Sequence, residues 1–211
     1  LKIKKGIPSI PIPYWNKVKD NATYTWGIIQ QYGFKPQQIE EVHKILTAQK
    51  GAFIASSTHK LIHWDNYIQI VPLNDSKCYL CIESPDSFIS GAKWTAETEK
   101  EILYFELIDN TNLVIEKEAS YAYLDASKLE WPLLLRSWEP TDYFYPFGMQ
   151  KKKKLNHFLG NLKLSPAIKA SQLVLTNGPQ ICWVVGKRID DRFKIKSTTK
   201  QVLKIHWKEL K

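Results

Sequence analysis

The sequence predicts an α+β protein, with a small helical segment and a β-hairpin leading into a mixed α/β domain. Three observations carry this. Helix start and stop signals crowd the first 50 residues. From Ala52 the pattern changes to short segments rich in β-branched and aromatic residues. Beyond residue 135, proline-capped helix starts alternate with a strong hairpin signal at Asn177-Gly178. The division that follows is residues 1–73 and residues 74–211.

Taken in order, residues 1–13 hold Pro8, Pro11 and Pro13 and read as an extended linker, or as a chain cut out of something larger. Asn21 can cap a helix over 22–32, which Gly33 would stop. Pro36 suits the first position of a second helix running to about residue 49. Its narrow stripe of Ile39, Val42, Ile45 and Leu46 predicts a helix lying on a core, with His43 beside the stripe at the surface. Strands are expected over 53–56, 60–64 and 67–73. Residues 77–82, 101–108 and 113–118 also read as strands, the last two pairing around Asp109-Asn110. A strand over 133–138 precedes a proline-bounded loop and a helix over 152–159, and Ser165 with Pro166 opens another helix. Strands over 173–176 and 180–185 flank Asn177-Gly178, with Pro179 shortening the second. Segments 193–196 and 202–207 complete the sheet.

Charge is distributed unevenly. Residues 136–211 carry 16 Lys and Arg against five acids, whereas residues 1–135 carry 14 against 16. A cationic module of this kind is the electrostatic footprint of a polyanion, and RNA is the partner it fits. Residues 74–130, with five Lys against twelve acids, would face solvent or a positive protein surface instead. No run approaches the roughly 20 apolar residues of a membrane helix, and the N-terminus lacks the features of a signal peptide. Three cysteines, an odd number, point to an intracellular protein with reduced thiols. Cys78 and Cys81 form a C-x-x-C, but only Cys182 remains, and on a strand the two would point to opposite faces, so no metal site is expected. The five histidines have no metal-ligand spacing, and no nucleophile sits in an elbow context.

Two motifs stand out in the basic part. One runs R-S-W-E-P-T-D-Y-F-Y-P-F-G-M from Arg136 to Met149, followed by Lys153-Lys154-Leu155; the other runs I-C-W-V-V-G-K-R-I-D-D-R-F-K from Ile181. Through Arg136, Trp138, Asp142, Pro146, Gly148, Met149, Trp183, Gly186, Arg188, Asp190 and Arg192 the pair resembles the C-terminal region of the tRNA(Ile)-lysidine synthetase (TilS) family. Thr141 stands where that family usually has Gly, so the turn cannot require a positive φ, and Asn156-His157 replaces the usual Ser-Asp. The resemblance implies a cytoplasmic, tRNA-processing ligase that uses ATP, with Mg, to attach lysine to the wobble cytidine of the CAU-anticodon isoleucine tRNA. It also implies a three-layer sandwich domain shared with the phenylalanyl-tRNA synthetase β subunit, preceded by the end of a helical substrate-recognition domain. The family's ATP-binding loop is absent: no two glycines are adjacent, and neither G-x-G-x-x-G nor G-K-[ST] occurs. The chain alone should therefore be catalytically inert, with no cofactor of its own.

The candidate tRNA contacts are Lys151, Lys152, Lys153, Lys154, Lys169, Lys187, Arg188, Arg192 and Lys194. Lys151 to Lys154 would lie at a helix N-terminus, which suits phosphate. Arg188 and Arg192 straddle Asp190-Asp191 and either reach phosphate or close ion pairs with those acids. Arg136 with Asp142 would shape the first motif, and Trp138 and Trp183 read as core. The competing expectation is an interaction module, a homodimer joined by its acidic and basic halves.

Overall fold

The computed structural model describes residues 2–4, 7–73 and 79–210, so Cys78 of the C-x-x-C lies outside the described residues. Two compact units emerge, residues 1–76 with 163–171, and residues 77–162 with 172–211.

In the first unit, β1 (Lys2–Lys4) and β2 (Ile7–Pro11) lead into α1 (Ile12–Val18) and α2 (Ala22–Ile29). The described residues of this stretch, 2–4 and 7–13, are therefore not a linker. Pro11 and Pro13 stand at the end of β2 and in the first turn of α1, places where a backbone donor is dispensable. The Asn21 side chain accepts from Thr23 N at 3.0 Å and caps α2, which runs through a 3₁₀ turn to Gly33. The second helix is shorter than its sequence pattern suggests: a 3₁₀ turn over Pro36–Gln38 precedes α3 (Ile39–Ile45). Three strands follow, β3 (Phe53–Ala55), β4 (His59–Trp64) and β5 (Tyr67–Pro72), in an antiparallel sheet of order β1-β2-β5-β4-β3.

This sheet is buried on both faces. Leu61, Ile68 and Ile70 join Trp15, Ile29, Val42 and Ile45 in one core, whereas Ile62 and Val71, one residue out of phase, pack on Ala167. Ala167 belongs to a short helix, Pro166–Ala170, capped by the Ser165 hydroxyl. This apolar contact groups residues 163–171 with the first unit, whereas the sequence division assigns them to 74–211. His43 is half-buried rather than superficial, its Nε2 lying 2.9 Å from the buried Thr25 hydroxyl.

The second unit is a sandwich of two antiparallel sheets. Its first nine elements are β6 (Tyr79–Ile82), β7 (Lys93–Glu97), β8 (Glu101–Asp109), β9 (Tyr121–Asp125), β10 (Leu133–Ser137), β11 (Tyr143–Phe144), β12 (Lys153–Lys154), α4 (Leu155–Asn161) and β13 (Leu173–Asn177). β14 (Gln180–Val184), β15 (Arg188–Ile189) and β16 (Gln201–Glu209) complete it. One sheet has the order β15-β14-β13-β10-β6, the other β7-β8-β16-β9. Leu133, Leu135 and Leu175 from the first meet Leu103, Phe105, Leu203 and Ile205 from the second in one core. Each such side chain, taken fully out of water, contributes about 1.5–3 kcal/mol.

Three sequence expectations are corrected here. Residues 113–118 form no strand, because β8 is already paired with β7 on one edge and β16 on the other. Segment 193–196 is no strand either; a 3₁₀ turn over Asp191–Phe193 sits there, held by Asp190. Segment 202–207, expected to complete one sheet with the hairpin strands, lies within β16 in the other sheet.

Candidate nucleic-acid interface

Both sequence motifs meet at one end of the sandwich in the second unit. Arg136 closes a two-pronged ion pair on Asp142, with Nη1 to Oδ2 at 2.8 Å and Nη2 to Oδ1 at 2.7 Å. Asp142 Oδ2 also accepts from Glu139 N at 2.7 Å, and its carbonyl accepts from Leu155 N at 2.8 Å. One acid thus ties the end of β10 to the loop and to the start of α4. The bond to Asp142 raises the Arg136 pKa further, so its charge is permanent. Thr141 needs no positive φ; among the described residues only Asp65 and Lys163 adopt one without being glycine.

The second motif supplies two more clamps. Asp190 is wholly buried. Its carboxylate accepts from Arg192 Nε and Nη2 at 2.9 and 2.8 Å, from Arg192 N at 2.9 Å, and from Tyr145 N at 2.8 Å. The Arg192 guanidinium lies 4.6 Å from the centre of the Tyr145 ring. Asp191 accepts from Lys194 Nζ at 2.8 Å and from Gly148 N at 2.9 Å, and these bonds hold its carboxyl below the usual range. Pro146 bridges to Asp190. Gly186 sits at φ +66°, where a Cβ would meet the Trp207 ring at 3.1 Å, so both conformation and space call for glycine.

Of the two alternatives left open for the arginines, Arg192 is thus an ion-pair residue, whereas Arg188 on β15 is exposed. Lys194 is engaged by Asp191. Lys187 is half-buried, its Nζ 3.3 Å from the Gly186 carbonyl, and Lys169 lies on the short helix of the first unit. The lysine run does not open a helix as expected: Lys153 and Lys154 form β12, paired with Phe144 and Tyr143, and only Lys154 reaches the cap of the seven-residue α4. Lys151, Lys152 and Lys154 are exposed; Lys153 is half-buried, with Nζ 5.8 Å from the Phe158 ring centre. Trp183 is core at 1% exposure, while Trp138 is half-buried.

Sequence reasoning missed two features. Tyr143, Phe147 and Met149 are exposed apolar side chains of the clamped loop; the only hint was an aromatic residue between Pro146 and Gly148. On the solvent side of the other sheet, Thr95, Tyr104, His206 and Tyr121 align in register across β7, β8, β16 and β9. The His206 ring stacks on Tyr121 at 4.2 Å and 9°, beside a concavity of about 410 Å³ lined in part by Tyr104 and Lys204.

Burial first, and then Lys208 and Lys204, push the His206 pKa below 6.5, against smaller opposing effects of Glu118 and Glu116. Such a histidine binds its proton more readily when unfolded, so its share of stability is full above pH 6.5 and declines as pH falls. Urea melts between pH 8 and 5 should show this decline, and His206→Gln should flatten it. Elsewhere, burial drives the Cys182 thiol far up and keeps it a core residue. Among the described residues, no three His, Cys, Asp or Glu side chains are grouped to hold a metal ion, and no helix is long and apolar enough to cross a membrane.

Comparison with known proteins matches two stretches of the chain. Residues 3–73 match the family model of the TilS substrate binding domain, and residues 133–207 that of the TilS substrate C-terminal domain. The tRNA(Ile)-lysidine synthase of Parabacteroides distasonis is 33% identical over 185 residues, covering 88% of this chain and 41% of that protein. The synthase of Bacteroides thetaiotaomicron is 43% identical over 180 residues, 85% of this chain and 38% of that protein. The chain therefore spans only 41% and 38% of these relatives. A crystal structure of a TilS C-terminal domain superposes with a TM-score of 0.52 at 13% identity, over 64% of this chain and 99% of that one, which shows a common fold. A phenylalanyl-tRNA synthetase β-subunit fragment from Pyrococcus horikoshii reaches a TM-score of only 0.42, too low to argue from. With both domain models matched in order and relatives aligned along most of its length, the chain belongs to the tRNA(Ile)-lysidine synthase family and carries its substrate-binding and C-terminal domains.

Proposed function

We propose that this chain is the tRNA-recognition part of a tRNA(Ile)-lysidine synthase, and that it grips the body of the tRNA through phosphates. The observation that carries this reading is the state of the charges around the clamped loop. Asp142, Asp190 and Asp191 are each bound to a cation, while Lys151, Lys152, Lys154 and Arg188 are exposed beside them. Exposed cations on a rigid frame contact an RNA backbone by shape rather than by base sequence. In the whole cytoplasmic enzyme, a catalytic domain elsewhere would take ATP, Mg and lysine and modify the wobble cytidine of the CAU-anticodon isoleucine tRNA. This chain would place that anticodon and would show no ligase activity by itself.

Binding to the full isoleucine tRNA and to its isolated anticodon stem-loop, across a salt series, tests the reading. The full tRNA should bind tightly, log K falling by about 0.9 per phosphate contact for each decade of salt, and the stem-loop weakly. Equal binding of the two, or binding of neither, contradicts it.

A further inference from the structure

We propose that the tip formed by Tyr143, Phe147 and Met149 is a stacking site for unpaired RNA bases, with Lys151, Lys152 and Lys154 holding the phosphates beside them. The inference rests on the RNA-binding reading above and names what this part of the surface takes. These three side chains are 50%, 50% and 46% exposed. Large apolar groups in a soluble domain are seldom grouped in this way without a partner.

Their exposure does not come from a loose loop. Tyr145 N donates to Asp190 at 2.8 Å, and the Tyr145 carbonyl accepts from Asp191 N at 2.7 Å. Phe147 N donates to the Ile189 carbonyl at 3.0 Å, Gly148 N to Asp191 at 2.9 Å, and Met149 N to the Pro146 carbonyl at 2.8 Å. Gly148, at φ +83°, turns the chain between Phe147 and Met149, and the bond from Met149 N to the Pro146 carbonyl closes that turn. The backbone is thus ordered before any ligand arrives, and binding need not pay again for that order.

The surroundings select the ligand. Lys152 Nζ lies 5.1 Å from the Tyr143 ring centre, and Lys154 is the cross-strand neighbour of Tyr143. The nearby acids Asp142, Asp190 and Asp191 are already neutralised by Arg136, Arg192 and Lys194. Exposed aromatic rings with cations beside them fit a ligand with π-faces and a chain of negative charge, which is a nucleic acid with its bases unpaired. A duplex hides those faces along its length. An anionic membrane shares the cation preference but would need no ring faces.

The test compares the chain with its Phe147→Ala/Met149→Ala and Lys151→Ala/Lys152→Ala/Lys154→Ala variants on three probes: a single-stranded oligoadenylate, a blunt RNA duplex of equal charge, and vesicles of phosphatidylcholine with phosphatidylserine. Since the tip residues are exposed, their loss should leave thermal melting unchanged. Stacking is lost on the single strand alone, so the tip variant should bind oligoadenylate about tenfold or more weakly with the same salt slope, and the duplex as before. The lysine variant should instead flatten the salt slope on both RNAs. Phe147→Trp should restore the single-strand affinity. If the chain binds both RNAs with a steep salt slope and the tip variant matches it, the stacking site is wrong while RNA binding stands. If neither RNA binds, both readings fall. Tip-dependent vesicle binding with RNA affinity unchanged overturns the inference in favour of a membrane contact.

Discussion

Replacing Asp190 with alanine should destabilise the second unit by about 3 kcal/mol, the largest effect expected of any single polar substitution here. The carboxylate is wholly buried and accepts four hydrogen bonds, two from the Arg192 guanidinium and one each from the backbone N–H of Arg192 and Tyr145. Removing it strands two backbone donors, at about 1–3 kcal/mol for each that stays dry, and leaves a cation without its counter-ion. The Arg192 side chain is 32% exposed, so water can solvate part of its charge; this places the cost at the lower end of the range for broken buried pairs. Asp191→Ala makes the control. Its partner Lys194 is 36% exposed, and that pair should contribute less than about 1 kcal/mol. Urea unfolding followed by tryptophan fluorescence should move the midpoint far more for Asp190→Ala than for Asp191→Ala, with the slope unchanged. Equal small shifts would mean that the buried carboxylate does not hold the loop.

The second large effect concerns RNA. Substituting Lys151, Lys152, Lys153 and Lys154 together by alanine should weaken tRNA binding about 100-fold or more at 0.1 M salt and hardly at all near 1 M. The salt slope should fall by about three rather than four, at roughly 0.9 per contact. Lys153 is the reason: it is half-buried over the Phe158 ring, so Lys153→Ala alone should leave the slope untouched. Stability should change little, since the other three lysines are exposed. A quadruple variant that binds tRNA normally at 0.1 M salt would remove the lysine run from the interface.

What could be read from the sequence was local chemistry. Asn21 and Ser165 cap helices because a short polar side chain reaches a free backbone N–H two or three residues on. The hairpin expected at Asn177-Gly178 forms one residue later: Asn177 still pairs with Gln180, and Gly178, at φ +54°, makes the two-residue turn with Pro179. Pairings between distant segments were hidden. Nothing near residue 105 announces that β8 lies against a strand almost 100 residues further along, and so residues 113–118 looked like its partner. Lys153 and Lys154 follow a helical pattern but are drawn into a two-residue ladder by Tyr143 and Phe144. At the candidate interface the charged residue types were visible, whereas their division into clamped and exposed was not. Asp190 binds the arginine two positions away, and only the loop's folding back brings Tyr145 to the same carboxylate.

The place of β16 in its sheet bears on how the protein is made. β8 and β9 both lie beside β16, one on each side, and have no pairing with each other. During synthesis, therefore, the half-sheet of β7 and β8 and the isolated β9 must wait, apolar faces uncovered, until residues 201–209 leave the ribosome. The first unit has its five strands complete by Pro72 and can close its helix-covered core much earlier, leaving only Ile62 and Val71 on the other face to wait for Ala167. Nascent chains arrested before residue 200 should accordingly hold one protease-resistant unit and one open sheet, the state in which chaperone binding is most needed.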